Sequence, residues 1–577
     1  MNRKTLVILA ALALLSIIAL ASCAEPTPKV VEKVVEKPVE KIVEKVVEKP
    51  VTVVVPAPTA APKPTEAPKP PAPTAKIEVG GRGLTNVPVS TTVQLMSAGV
   101  VANVPVTRTT WTLTVPPGSQ AKLKDPAAAQ TEFTPDVVGT YKVDAVLANA
   151  SGSSPMASIK ITAGTLVGDN LKNCQTCHAA QTTGYANTVH GKGNIQCEQC
   201  HGPASQHLKG EKVMASTHSD GVCDVCHNTP NRITGAELKN AKHYTGHTFE
   251  EITGPSRQAC ARCHSGTGYI SFLQNPTSMA AWVNEVSHIG CSVCHDPHNS
   301  QNFAQLRIVG KPVELPFEAK DVGLSATCFE CHNGRTKAAD AVRGSFPHYG
   351  ANSEMLSDTG GVTYGQTVPN SPHGMLIGNA PVPDPADKSK TLFGGQKPGP
   401  CVVCHMWPII SNSSDPNYKY RLEVGAHSFN TVSVDRKFEY GASCVSCHGP
   451  VTDFNLKAKA DYDGNGKVEG VQDEIKGLLN AVWKALEAKG VKQSASHPYW
   501  VPPRDAQGNT DDKLENAFYN FRIVYGVMWT AGADGKIVPG NEGKSQAAHN
   551  FKRSCALLQL SLKDLGATPA GAADCTK

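Results

Sequence analysis

Cys174-Gln-Thr-Cys177-His178 opens a pattern that returns along most of the chain. Cys-x-x-Cys-His stands eight times, at Cys174–His178, Cys197–His201, Cys223–His227, Cys260–His264, Cys291–His295, Cys328–His332, Cys401–His405 and Cys444–His448. Two thiols at this spacing reach the two vinyl groups of one porphyrin, and the adjacent histidine reaches its iron. Each copy therefore reads as a c-type haem attachment site, eight haems in all. The thioether donors are Cys174, Cys177, Cys197, Cys200, Cys223, Cys226, Cys260, Cys263, Cys291, Cys294, Cys328, Cys331, Cys401, Cys404, Cys444 and Cys447. The proximal ligands are His178, His201, His227, His264, His295, His332, His405 and His448. Zinc ribbons do not require a histidine after the second cysteine. A disulfide framework gives no reason for one either.

Successive motifs start 23, 26, 37, 31, 37, 73 and 43 residues apart. That is too little chain per haem for ordinary apolar cores. Haem must pack on haem, so residues 166–450 are expected to be mainly helical or irregular, with little regular sheet. The composition agrees: aromatic residues make up 6%, beside 50 Gly and 42 Pro in 577 residues. The formal charge of +5 is offset by two propionates per haem, roughly sixteen negative charges if all ionise. There is no basic block interleaved with aromatics, so nucleic acid is excluded as a partner.

The sixth iron ligand decides what such haems do. Of 20 histidines, eight are proximal, leaving twelve, a surplus that bis-histidine ligation requires. Bis-histidine iron passes electrons but is closed to substrate. The other histidines are His190, His207, His218, His243, His247, His288, His298, His348, His373, His427, His497 and His549. Met214, Met355, Met375 and Met406 are the competing ligands, with Met355 and Met406 also read as packing residues.

The N-terminus reads as an export signal over residues 1–22, with Arg3 and Lys4 ahead of the apolar run Leu6–Ala21. Leu20-Ala-Ser-Cys23 resembles the bacterial lipoprotein signal, which implies lipid on Cys23 and anchoring to the outer face of a membrane. Residues 23–75 read as a stalk, first a Val-Val-Glu-Lys repeat and then a Pro/Ala-rich run. Residues 76–165 carry strand-like runs at 76–79, 92–96, 109–115, 139–147 and 157–162. Phe133-Thr-Pro-Asp136 followed by Gly139-Thr-Tyr141-Lys-Val143 resembles immunoglobulin-like and PKD-like domains. That implies a sandwich with Trp111 in its core, Tyr141 at a tyrosine corner, and a spacer's role.

Residues 451–577 read as a helical segment packing on the haem domain. Asp461, Asp463, Asn465, Lys467 and Glu469 resemble an EF-hand calcium loop, although its twelfth position is Gln472; Asp473 or Glu474 would substitute. A helix from Val471 to about Lys489 carries one apolar stripe, expected to cover haems. Leu514–Val527 and Asn550–Leu565 also look helical. Cys555 and Cys575 either form a disulfide or remain free thiols.

Taken together, residues 170–565 resemble the multihaem cytochrome c superfamily that includes octahaem reductases and nitrite-reductase-like cytochromes. Seven histidines sit in segments similar to distal-ligand segments of such cytochromes: His190, His207, His298, His348, His373, His427 and His549. His247, in Thr245-Gly-His-Thr-Phe249, is taken as the eighth ahead of His243, His218 and His288. The resemblance implies an extracytoplasmic electron carrier that exchanges electrons with redox proteins or an external acceptor, as a single chain, an oligomer or a filament. Its rival is a reductase or oxidase of small nitrogen or sulfur compounds, which needs one open haem. Nitrite reductases of the superfamily carry Lys in place of one motif histidine. This chain has no Cys-x-x-Cys-Lys, which counts against that activity.

Overall fold

The structure, a computed structural model, describes residues 72–577 apart from 101–104, 214–218, 231, 247–257, 278–286, 319, 337–345, 377, 495–498 and 527–543. The expected signal, Cys23, nearly all of the stalk, and His247 lie outside the described residues.

A β region comes first. Its strands are β1 (Thr74–Val79), β2 (Asn86–Pro88), β3 (Val93–Val100), β4 (Arg108–Thr114), β5 (Gln130–Phe133), β6 (Gly139–Asn149), β7 (Gly152–Ser153) and β8 (Ala157–Gly164). One sheet has the order β1-β3-β5; the other runs β2-β8-β6-β4, with β2 parallel to β8 and β7 beside β6. Every expected run overlaps a strand, with Thr92 and Val115 just outside theirs. The strands missed, β2, β5 and β7, are too short or too polar to show alternation. In β4 the alternation is clear: Thr109 and Trp111 are buried between exposed Arg108, Thr110 and Thr112. Leu95 and Phe133 of one sheet meet Trp111, Tyr141 and Ile161 of the other in a shared core. The Tyr141 hydroxyl lies 3.0 Å from the Val137 carbonyl and accepts from Asp136 N–H at 3.2 Å, which pins the turn ahead of its own strand.

This region does not stand apart as a spacer; it is fastened to the second haem motif. Asn86 Nδ2 donates to the carbonyls of His201 (3.2 Å) and Pro203 (2.9 Å), and Arg82 Nη1 to that of Gln199 (2.7 Å). The buried Glu198 carboxylate accepts from the N–H groups of Val167 (2.9 Å), Gly168 (3.1 Å) and Ala204 (2.8 Å). Gly202 has φ +78, and a Cβ there would meet the Asn86 carbonyl at 2.2 Å, so the close approach needs glycine.

The haem motifs sit on short helical turns, such as Cys197–His201, Gly221–His227, Gln258–His264 and Gly399–His405. A helical turn puts residues i, i+3 and i+4 on one side, which aims both thiols and the histidine at one porphyrin. Between these turns the chain is mostly loop.

Three long helices close the fold: α1 (Val471–Ala488), α2 (Asp512–Tyr525) and α3 (Lys544–Asp564). The stripe on α1 is buried as expected at Ile475, Leu478, Leu479, Val482 and Leu486. It does not cover haems, however: it joins a conventional apolar core with Phe518, Leu557 and Met355. Asn520, fully buried, holds this core to the loop at Val362: it accepts from Val362 N–H at 2.7 Å and donates to the Val362 carbonyl at 2.8 Å. Within α3 the backbone breaks at Asn550 (φ −158). The Asn550 side chain accepts from Arg553 N–H at 2.9 Å and so caps the second half of the helix.

Cys555 and Cys575 are bonded, with Cα atoms 5.6 Å apart and a sequence separation of 20. A crosslink of this loop size stabilises by about 3 kcal/mol. The double variant C555S/C575S is expected to lose about that much, read as a fall in the guanidinium midpoint of the helical transition. An unchanged midpoint contradicts the assignment.

Candidate haem-binding site

Two imidazoles bound on opposite sides of one metal, at metal–nitrogen distances near 2 Å, put their ring centroids roughly 6 Å apart. Among the described residues, every motif histidine faces one further histidine at that span. The pairs are His178–His207 (6.2 Å), His227–His190 (6.1 Å), His201–His298 (6.1 Å) and His332–His243 (6.0 Å). The others are His264–His348 (5.8 Å), His295–His427 (6.3 Å), His448–His373 (6.1 Å) and His405–His549 (6.2 Å). With one cysteine a helical turn before each motif histidine and a second directly before it, the donor set fits a thioether-bound, six-coordinate haem.

The rings are held for that purpose. Nδ1 of His295 lies 2.7 Å from the Ala304 carbonyl, that of His405 2.8 Å from Phe429, and that of His373 2.7 Å from Ala548. His549 is held by the Ser545 carbonyl (2.7 Å) and His348 by that of Tyr349 (3.1 Å). A carbonyl only accepts, so Nδ1 carries the proton and Nε2 keeps its lone pair for a metal. Desolvation keeps two of these imidazoles neutral, the ligating form: His348 and His549 are each pushed down to about 4. Carboxylates back two further rings. Asp296 Oδ1 stands 3.4 Å from His298 Nδ1, and its bond to His298, helped by Arg307, holds it at about 2. Glu237, buried, stands 3.7 Å from His427 Nδ1 and accepts from the His427 backbone N–H at 3.2 Å.

Seven expected distal histidines, His190, His207, His298, His348, His373, His427 and His549, therefore lie opposite a motif histidine. The place opposite His332 is taken by His243, not by the favoured His247, which lies outside the described residues. Nothing local separates the two in Lys242-His-Tyr-Thr-Gly-His247; the choice depends on the fold around Phe429, whose ring is 5.0 Å from His243. His288 is engaged elsewhere, bonded to Asp220 at 2.6 Å.

The motifs also adjoin one another through their cysteines. Cys174 adjoins Cys197, and Cys200 lies near Cys223. Cys223 adjoins Cys291, whose N–H donates to Asp220 just ahead of the third motif at 2.7 Å. Cys294 lies near Cys328, Cys328 adjoins Cys401, and Cys404 lies near Cys444. The fourth motif meets only the sixth in this way among the described residues: Cys263 Sγ is 3.8 Å from the Glu330 carbonyl, and Cys331 Sγ is 4.0 Å from that of Arg262.

A family model for the doubled CXXCH motif matches residues 285–337, which span the fifth and sixth motifs. By this match the chain resembles multihaem c-type cytochromes. It is similar to the c-type polyheme cytochrome OmcB of Geobacter sulfurreducens, at 25% identity over 416 residues, covering 61% of this chain and 51% of the relative. OmcC of the same organism is 26% identical over 56% of this chain and 44% of its own. The multiheme cytochrome MtrA of Shewanella baltica is 23% identical over 28% of this chain and 52% of its own. The chain spans about half the length of the curated relatives it matches. A solved PKD domain of an M14-like peptidase from Thermoplasmatales archaeon SCGC AB-540-F20 aligns with 17% of the chain and 99% of its own at 19% identity. Its TM-score of 0.13 is too low to assign a fold.

The expected calcium loop is arranged differently from an EF-hand. Asp461 and Asp463 come together with Glu474, their oxygens within 4.8 Å of one another. Asp461 accepts from Gly464 and Gly466 N–H, both at 2.7 Å, and Glu474 from Tyr462 N–H at 2.7 Å. Asn465 bonds Glu469 (2.8 Å). Lys467 and Glu469 contribute no side chain to the carboxylate group.

Glu354 was not singled out from sequence. It is buried, and one oxygen accepts from Gly334 N–H at 2.5 Å, two residues past His332; the other has no partner. Burial pushes it up to about 7 from its ordinary 4.5. A raised acid contributes stability below its unfolded value and loses it as pH rises through the folded value. From pH 4.5 to above 7 the native protein is therefore expected to lose about 3 kcal/mol relative to Glu354→Gln. Denaturation midpoints of the two proteins across this window check it; parallel curves contradict it.

Proposed function

We propose that this cytochrome is an extracytoplasmic electron conduit of eight covalently bound haems, all bis-histidine. The facing of each motif histidine by one further histidine at 5.8–6.3 Å carries this reading. Six-coordinate irons relay single electrons and offer no metal site to a substrate. The contacts between motif cysteines support a continuous order of haems one, two, three, five, six, seven and eight, with haem four as a branch at haem six. The haem supplies the redox change. The chain's own residues would attach it through the motif cysteines and hold the paired imidazoles that ligate it.

The competing reading, a reductase or oxidase of small nitrogen or sulfur compounds, needs one iron without a sixth ligand. The pairing at each described motif supports the closed reading over this one. Export and lipid attachment at Cys23 fit this function, since c-type attachment takes place outside the cytoplasm, and would bring the conduit to a membrane and to a redox donor and acceptor. The β region is read as immunoglobulin-like on its two facing sheets and its buried Tyr141. Its seat on the second motif gives it a part in building the haem array.

Intact mass of the exported protein is expected to show eight haem additions; fewer would overturn the count. His243→Ala is expected to convert one haem to a high-spin form in the absorption spectrum, while His247→Ala leaves the spectrum low-spin. The reverse result would move the ligand of the sixth haem to His247.

A further inference from the structure

Arg522, on α2, is 5% exposed, and its Nε and Nη1 have no hydrogen-bond partner. Its guanidinium lies over the rings of Tyr349 (4.6 Å) and Tyr499 (5.9 Å). Among the described residues no carboxylate pairs with it. An unpaired buried cation costs several kcal/mol, so such a group is normally matched by an anion. Ring faces compensate only part of that cost.

The position says which anion. Tyr349 follows His348, and the two rings are 5.5 Å apart. The charges of Arg335 and Arg522 both reach His348, which faces His264 of the fourth motif. Arg262, within this motif, is already engaged by Glu314 (2.8 Å) and Glu330 (3.3 Å), and Arg335 is exposed. A carboxylate close to a haem iron but outside the polypeptide is a propionate of that haem. A guanidinium presents two N–H groups in a fork that matches one carboxylate.

We propose that Arg522 is the propionate-binding residue of the fourth haem. The inference rests on the haem reading above. An arginine there favours the ferrous state, which carries one more negative charge than the ferric, and so raises the potential of the branch haem. The haem gains its electron from the mediator; no bond is made or broken at Arg522.

Full-length wild type, Arg522→Gln and Arg522→Lys are compared by redox titration followed in the haem absorption bands and by infrared difference spectra of the carboxylates. Intact mass is taken first. If wild type lacks the fourth haem, the haem reading itself fails, and separately from this inference. With haem content equal, Arg522→Gln is expected to move one one-electron step down by about tenfold in its reduction equilibrium, 59 mV. It is also expected to shift one propionate band. Arg522→Lys keeps the charge and loses the fork, so it shifts the band with little change in potential. If Arg522→Gln does not accumulate with haem, the band in Arg522→Lys alone decides. Superimposable titrations for Arg522→Gln, or an unmoved carboxylate band in Arg522→Lys, overturn the proposal.

Discussion

A histidine pair set about 6 Å apart is a local geometry with distant consequences. His201 faces His298, and His405 faces His549, across 97 and 144 residues of chain. Each pair brings together two segments far apart in the chain. Short turns around each motif suffice because the long-range order is carried by the ring pairs and by the carbonyls that aim them. On this reading the haem supplies what an apolar core supplies elsewhere, which is why loops can make up so much of residues 166–450.

The two regions built in the ordinary way serve as the ends of this array. The β region has its own core around Trp111 and Tyr141, and it seats Asn86 and Arg82 on the second motif. The helical cap has its own core around Phe518 and Leu557, and it brings in His549 and Arg522. A buried polar residue makes the joint in each case, Glu198 at one end and Asn520 at the other. Such groups specify one arrangement, since each is costly if left unpaired.

Attachment was legible in the sequence because it is written in five consecutive residues. The strands of the β region and the stripe of α1 were legible through their periods of 2 and 3.6. The facing of one histidine by another has no period. His190 precedes the second motif yet faces His227 of the third. The choice between His243 and His247 depended on Phe429, nearly two hundred residues away. Glu354 and Arg522 carried no sequence signal, because an unpaired buried charge shows only when its neighbours are known. The stripe of α1 was read correctly as buried but matched to the wrong partner: periodicity gives a face, not what covers it.

Closure of every iron is the central claim, and it separates a conduit from an enzyme. Electron paramagnetic resonance of the fully oxidised, haem-loaded protein at neutral pH tests it most directly. Low-spin ferric signals alone, unchanged by nitrite or hydroxylamine, are expected. A stoichiometric high-spin signal that either compound perturbs would contradict it.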